Sequence, residues 1–187
     1  MFENSRLPTL AAERVELRWL VDSDVPALFE IFSDAEVARF WSSPAQRELA
    51  EAEKLLAEIR RDFEKRDLFQ WGVARRRDDR VIGTCTLAGI DTRNRRAEIG
   101  FALGRSYWKR GYMMEALPML LDFAFDELDL HRLEGDVDPR NQASIKALER
   151  LGFQREGYLR ERWIVGGEIC DTVYYGLLDR EWRASRK

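Results

Sequence analysis

The sequence predicts an α/β domain: a largely antiparallel sheet, two helices between its first strands, and a helix packed after each later strand. Three observations carry this. Residues 14–20 (RVELRWL) and 97–103 (AEIGFAL) alternate apolar and polar side chains, the two-residue period of a strand. Met114, Leu117, Leu120, Leu121, Ala124 and Phe125 recur instead at the spacing of one helix face. Gly166-Gly167, set between RWIV and EICDTVYYGLL, is a hairpin signal. A length of 187 residues favours a single domain over 1–187, long enough to bury a sizeable core.

In chain order, the strand at 14–20 leads to Asp22 and Asp24, which offer N-caps for a helix whose face is Val25, Leu28, Phe29 and Phe32. Phe40 and Trp41 lie in a loop that closes with Ser42, Ser43 and Pro44. A second helix is predicted over 45–65, with Leu49, Leu55, Leu56, Ile59 and Phe63 as its stripe and a charged, solvated outer face. Strands follow at 68–75 and 81–90, joined by the polar turn Arg77-Asp78-Asp79-Arg80. The link 91–96 leads to the strand at 97–103 and then to the helix of Met114 and its followers. Pro118 falls inside that helix, where it either kinks it or belongs to its opening turn. A strand at 132–137 ends at Asp138-Pro139. The next helix carries Ile145, Ala147, Leu148 and Leu151, with Gly152 as C-cap, and the last strand covers 169–178.

Composition excludes several classes. With 31 basic and 34 acidic residues the net charge is −3, so no global field argues for nucleic acid or membrane. No apolar run approaches the roughly 20 residues of a membrane span. The start, MFENSRLPTL, lacks the basic-then-apolar pattern of a secretion signal, and a cytoplasmic location is expected. Cys85 and Cys170 lack metal-site or redox-motif spacing. The single histidine, His131, rules out sites that need two histidines and makes a His-based triad a poor fit; a structural place beside the strand at 132–137 is expected. No metal is expected.

The strand at 97–103, a basic loop holding Arg105, Lys109 and Arg110, and a helix opening at Gly111 together have the geometry that binds phosphate. Free N–H groups and the helix dipole at such a start favour an anion. Gly111 lets the backbone approach closely or take a positive φ. The alternative is an ordinary turn. Neither a dinucleotide fingerprint nor a Walker loop is present, since both need more glycines at fixed spacings.

Taken together, RVELRWLVDSDVPALFEIFSD, VIGTCTLAGID, RAEIGFALGRSYWKRGYMMEAL, FAFDELDLHRLEGDVDPRNQASIKALERLGFQREG and DTVYYGLLDREW, in this order, resemble the GNAT superfamily of acyl-CoA-dependent N-acetyltransferases. Within it they are similar to the RimJ/RimL-like ribosomal-protein acetyltransferase group. The resemblance implies the GNAT fold, a central mostly antiparallel mixed sheet of about seven strands flanked by about four helices. It implies acetyl-CoA as donor and CoA as product. The family's cofactor loop, Gln/Arg-x-x-Gly-x-Gly/Ala, corresponds here to Trp108-Lys109-Arg110-Gly111-Tyr112-Met113, which keeps only the first glycine. By the same resemblance Met114 continues the loop's cofactor contacts, and the pantetheine arm pairs with Phe101, Ala102 and Leu103 as an added strand. Asn141 and Ser144 match residues that line the cofactor's far side; Asn141 also reads as an N-cap.

The implied chemistry is attack of an amine on the acetyl thioester through a tetrahedral intermediate, which needs a neutral amine and a donor for the oxyanion. An N-terminal amine has a pKa near 8 and a lysine near 10, so a base matters more for lysine. The leaving thiol, at about 8.5, departs with little help. Glu98 is the preferred base, with a buried salt bridge as its alternative; Glu161 and Glu168 are weaker candidates. The Leu103 N–H is the implied oxyanion donor. Many GNAT enzymes place a tyrosine acid where this chain has Leu148, and Ser144 is the nearest matching hydroxyl. Phe40, Trp41 and Trp163 fall where the family builds its acceptor pocket. The expected activity is acetylation of a protein N-terminal amine, possible acceptors including a ribosomal protein, by a monomer or homodimer. A small-molecule amine acceptor and a non-catalytic acyl-CoA-binding module are the alternatives.

Overall fold

The protein, described for residues 6–186 by a computed structural model, opens with strands β1 (Leu10–Ala11) and β2 (Val15–Arg18). Helices α1 (Val25–Phe32), α2 (Ala35–Ala38) and α3 (Leu49–Glu64) follow. Strands β3 (Leu68–Arg75), β4 (Arg80–Asp91) and β5 (Arg96–Leu103) run consecutively and lead to α4 (Tyr112–Asp122). Then come β6 (Arg132–Val137), α5 (Gln142–Arg150), β7 (Gln154–Val165), β8 (Glu168–Leu178) and α6 (Asp179–Ser185). Among the described residues the strands form one sheet, ordered β1-β2-β3-β4-β5-β6-β8-β7. Every neighbouring pair is antiparallel except β5 and β6.

The hydrophobic pattern decides which helices cover which face. Leu28, Ile31 and Phe32 of α1 and Leu56 and Ile59 of α3 pack with Leu20, Val81 and Ala102 on one side. Leu117, Leu120 and Leu121 of α4 pack with Leu17, Trp71, Val73, Leu87, Ile99 and Leu133 on the other, and Leu148 of α5 joins them. Alternation along β5 therefore turns Ile99, Phe101 and Leu103 toward α4 and leaves Glu98, Gly100 and Ala102 on the α1–α3 side.

Several predicted boundaries move for identifiable reasons. The helix expected over 45–65 begins only at Leu49, because the Gln46 N–H is drawn to the Phe32 carbonyl at 2.9 Å and the chain stays extended until Glu48. Asp24 precedes α1 without capping it; its carboxylate instead accepts from Arg18 at 2.8 Å and from the Val21 N–H at 2.9 Å. Pro118 stays within α4, which widens into a π-helical turn at Phe123–Glu127. β1, α2 and α6 were not predicted, and β7 is much longer than its RWIV end.

Candidate active site

β5 is the strand on which the site is built. It pairs with β4 along its length, from Gly83↔Leu103 to Ala88↔Glu98. Its pairing with β6 is short: Arg96↔Arg132, Ala97↔Leu133 and Glu98↔Glu134. Past Glu98 the two parallel strands part, and β6 continues to Val137 against β8 alone. The Gly104 N–H donates to the Ile82 carbonyl at 2.8 Å. By the two-residue period of an antiparallel ladder, Ala102 and Gly100 also direct their backbone groups to β4, whereas Phe101 and Leu103 direct theirs into the gap. Of the three residues expected to pair with a pantetheine arm, the register thus frees Phe101 and Leu103 and commits Ala102 to Thr84. The Leu103 carbonyl already accepts from the Trp108 indole N–H at 2.6 Å, which fixes Trp108 across the end of the opening.

At that end the chain enters α4. Gly111 sits at the N-cap with φ +80°, a left-handed conformation that costs an L-residue strain, and Lys109 before it has φ +60°. The N–H groups of Tyr112, Met113 and Met114 lie in the first turn, where no intrahelical carbonyl is available. Glu115 does not compete for them: Arg14 draws its carboxylate away with a backbone N–H and a guanidinium contact of 2.8 Å. Those bonds outweigh burial and hold Glu115 below the usual carboxylate range. Arg14 also donates to the Arg110 carbonyl at 3.1 Å and lies over the Tyr112 ring at 5.0 Å, so it braces the loop. Nothing local in the sequence pointed to Arg14. The side chains of Arg105, Lys109 and Arg110 are exposed around the same helix start. Met113, which replaces the family's small residue, turns inward with its sulfur 3.6 Å from Cys85 Sγ. Backbone amides, a positive helix end and surface cations fit a diphosphate; the outward-facing backbone of Phe101 and Leu103 fits an extended amide-bearing arm.

The second helix start facing the opening is that of α5. Asn141 caps it, its side-chain oxygen accepting from the Ser144 N–H at 3.2 Å, as its cap reading required. Ser144 is half-buried in the first turn. Leu148 is fully buried, so the position of the family's tyrosine contributes packing and no hydroxyl.

On the α1–α3 side of β5, Glu98 is half-buried with its pKa raised, first by burial and then by the charges of Asp136 and Glu134, with Arg162 opposing. Sequence reasoning missed these neighbours. Glu134 accepts from Arg96 at 2.7 Å and from Arg132 at 2.9 Å, which overcome burial and lower its pKa. The Tyr174 hydroxyl reaches Glu134 at 3.2 Å. Asp136 accepts from the Thr172 hydroxyl at 2.6 Å and the Trp163 indole N–H at 3.0 Å. Their only sequence signal is that RLEGDV carries two acids at one-face positions of an inner strand. Trp163 thereby joins the site. Phe40 lies 5.1 Å from the Arg39 guanidinium and 5.9 Å from that of Arg140, while Trp41 turns to the core against Phe32 at 5.2 Å. Glu168 pairs with Arg140 at the hairpin end, and the exposed Glu161 gives its N–H to Asp171 at 2.8 Å. Neither is among the groups that perturb Glu98. His131 precedes β6 with Nδ1 3.3 Å from Asp179. Among the described residues no cluster of His, Cys, Asp and Glu could hold a metal ion, and no helix is long and apolar enough to cross a membrane.

Residues 14–154 match the family model described as the acetyltransferase (GNAT) domain. The chain is 35% identical over 176 residues to the uncharacterized N-acetyltransferase p20 of Bacillus licheniformis, covering 94% of this chain and 99% of that one. It is 25% identical over 178 residues to the spermidine N(1)-acetyltransferase of Escherichia coli (strain K12), covering 95% and 92%. Among solved structures, a GCN5-related N-acetyltransferase from Brucella melitensis superposes with TM-score 0.85 at 26% identity, covering 95% of this chain and 81% of that one.

Proposed function

Because the chain belongs to the GNAT acetyltransferase family, we propose that it moves the acetyl group of acetyl-CoA to a protein N-terminal α-amine, the RimJ/RimL-like reaction. Acetyl-CoA, when bound, supplies an acetyl group on a sulfur that leaves readily as thiolate near neutral pH. The observation that carries the reading is the parting of β5 from β6 after Glu98, which leaves the backbone of Phe101 and Leu103 without a β6 partner on the strand that leads to the helix start at Gly111.

In this reading the Phe101 N–H and C=O hold the pantetheine arm as an added strand. The first-turn amides of α4 hold the diphosphate, with Lys109 and Arg110 beside them. The Leu103 N–H bears the negative charge that develops on the acetyl oxygen. Glu98 takes the proton that the amine nitrogen loses as its bond to the acetyl carbon forms and the C–S bond breaks; the departing sulfur collects its proton from solvent or from Ser144. Asn141 holds Ser144 in place through the helix cap.

Arg39, whose charge acts on Asp138, and Arg162, whose charge acts on Glu98, put positive charge at the acceptor side, which favours an N-terminal amine over a polycation. A second reading, a small polyamine, is favoured by the relation to the spermidine enzyme and by the carboxylates of Glu98 and Asp136. Thiol release from acetyl-CoA, followed with an N-terminal peptide and with spermidine, separates them. Peptide-dependent release exceeding spermidine-dependent release is expected; the reverse order would give the acceptor to the polyamine.

A further inference from the structure

The loop from Trp108 to Gly111 contains two left-handed residues, Lys109 at φ +60° and Gly111 at φ +80°. A lysine in that conformation persists only where its surroundings fix it. The residues flanking the loop do so. Tyr107 and Tyr112 close across it with ring centroids 6.4 Å apart and planes at 65°, the edge-to-face arrangement that aromatic rings prefer. A guanidinium covers each outer end of the pair: Arg75 lies 5.4 Å from the Tyr107 ring and Arg14 lies 5.0 Å from the Tyr112 ring. A carboxylate holds each guanidinium in turn. Asp78 accepts from Arg75 Nε at 2.9 Å, and Glu115 accepts from Arg14 Nε at 2.8 Å. Arg75 ends β3 opposite Val15 and is only 8% exposed, so its attraction to the ring is little screened by water. Asp78, Arg75, Tyr107, Tyr112, Arg14 and Glu115 thus form one ladder. It ties both ends of the loop to the neighbouring ends of β2 and β3.

We propose that Arg75 and Tyr107 are positioning residues for the CoA diphosphate. The ladder holds the loop in its ligand-ready bend before CoA arrives, so the first-turn amides of α4 meet the anion without rearranging. Without it, binding must itself order a strained loop, and that cost is subtracted from affinity. Arg75 and Arg14 act through the shape of the loop, because a carboxylate and a ring already occupy each guanidinium. The assignment rests on the reading that this helix start takes the diphosphate.

The test measures the affinities of CoA and of pantetheine for the wild-type protein, Tyr107→Leu, Tyr107→Phe and Arg75→Met, with the melting temperature of each. Pantetheine is the thiol-bearing arm of CoA without its diphosphate and nucleotide, so damage confined to the loop leaves its binding alone. Tyr107→Leu changes no charge, and Arg75→Met keeps an unbranched apolar stem. Each is expected to weaken CoA binding at least tenfold and pantetheine binding less than twofold. Tyr107→Phe keeps the ring and should bind CoA as wild type does. Wild-type CoA affinity in Tyr107→Leu or in Arg75→Met, an equal loss for CoA and pantetheine, or a loss in Tyr107→Phe as large as in Tyr107→Leu would each overturn the ladder and leave the diphosphate site standing. Should one of the two disruptive variants fail to fold, the other decides. Folded wild type that does not bind CoA would overturn the ladder together with the reading on which it rests.

Discussion

Glu98 gains its character from what surrounds it on both strands. Burial and the facing acids Asp136 and Glu134 raise its pKa, against Arg162, and Tyr174 stands close enough to feel its charge. A folded-state value above the unfolded one means the native protein holds the proton longer, so stability falls as pH rises through that interval. Glu98→Gln is therefore expected to melt higher than wild type at pH 7, with the difference gone below about pH 4, where the unfolded carboxylate is also protonated. The same variant should lose turnover and the acid limb of its kcat/KM profile while binding acetyl-CoA normally; wild-type rates across pH would remove Glu98 as the base. The strand alternation of AEIGFAL placed this side chain correctly on the face away from Ile99 and Phe101. Asp136, Glu134 and Tyr174 could not be placed, because which acids meet across β5, β6 and β8 depends on strand order, and strand order is not local.

At the scale of elements, α4 and its entry loop were legible because a glycine, a basic run and a helical stripe are consecutive in sequence. Its bracing by Arg14 was not, since that contact spans 101 residues. The start of α3 was misjudged because Ala45 and Gln46 favour a helix locally and lose to a tertiary bond from Gln46 to Phe32. Gly111→Asp tests the loop, with Gly111→Ala as its control: both carry the strain of φ +80°, and only Asp adds negative charge. Asp is expected to weaken acetyl-CoA binding at least tenfold beyond Ala, about 1.4 kcal/mol. Equal affinity for the two variants would make the helix start a turn and nothing more.

Across the whole molecule, the candidate site follows from a single topological fact: β5 meets β6 in parallel for three residues, and β6 then follows β8. Ligands in open sheets lodge beyond the carboxyl ends of such strands, between the helix starts that follow them. Here those starts are α4 and α5. No residue pattern within β5 or β6 announces where the two strands part; the family resemblance implies only that an extended arm pairs with residues 101–103, and the register locates the parting after Glu98. Hydrogen exchange read residue by residue, without and with saturating CoA, tests the central claim directly. The Phe101 and Leu103 amides should be the ones that slow on CoA addition, while Gly100 and Ala102, already bonded to β4, stay unchanged. Unaltered exchange at Phe101 and Leu103 in CoA-saturated protein would contradict the account.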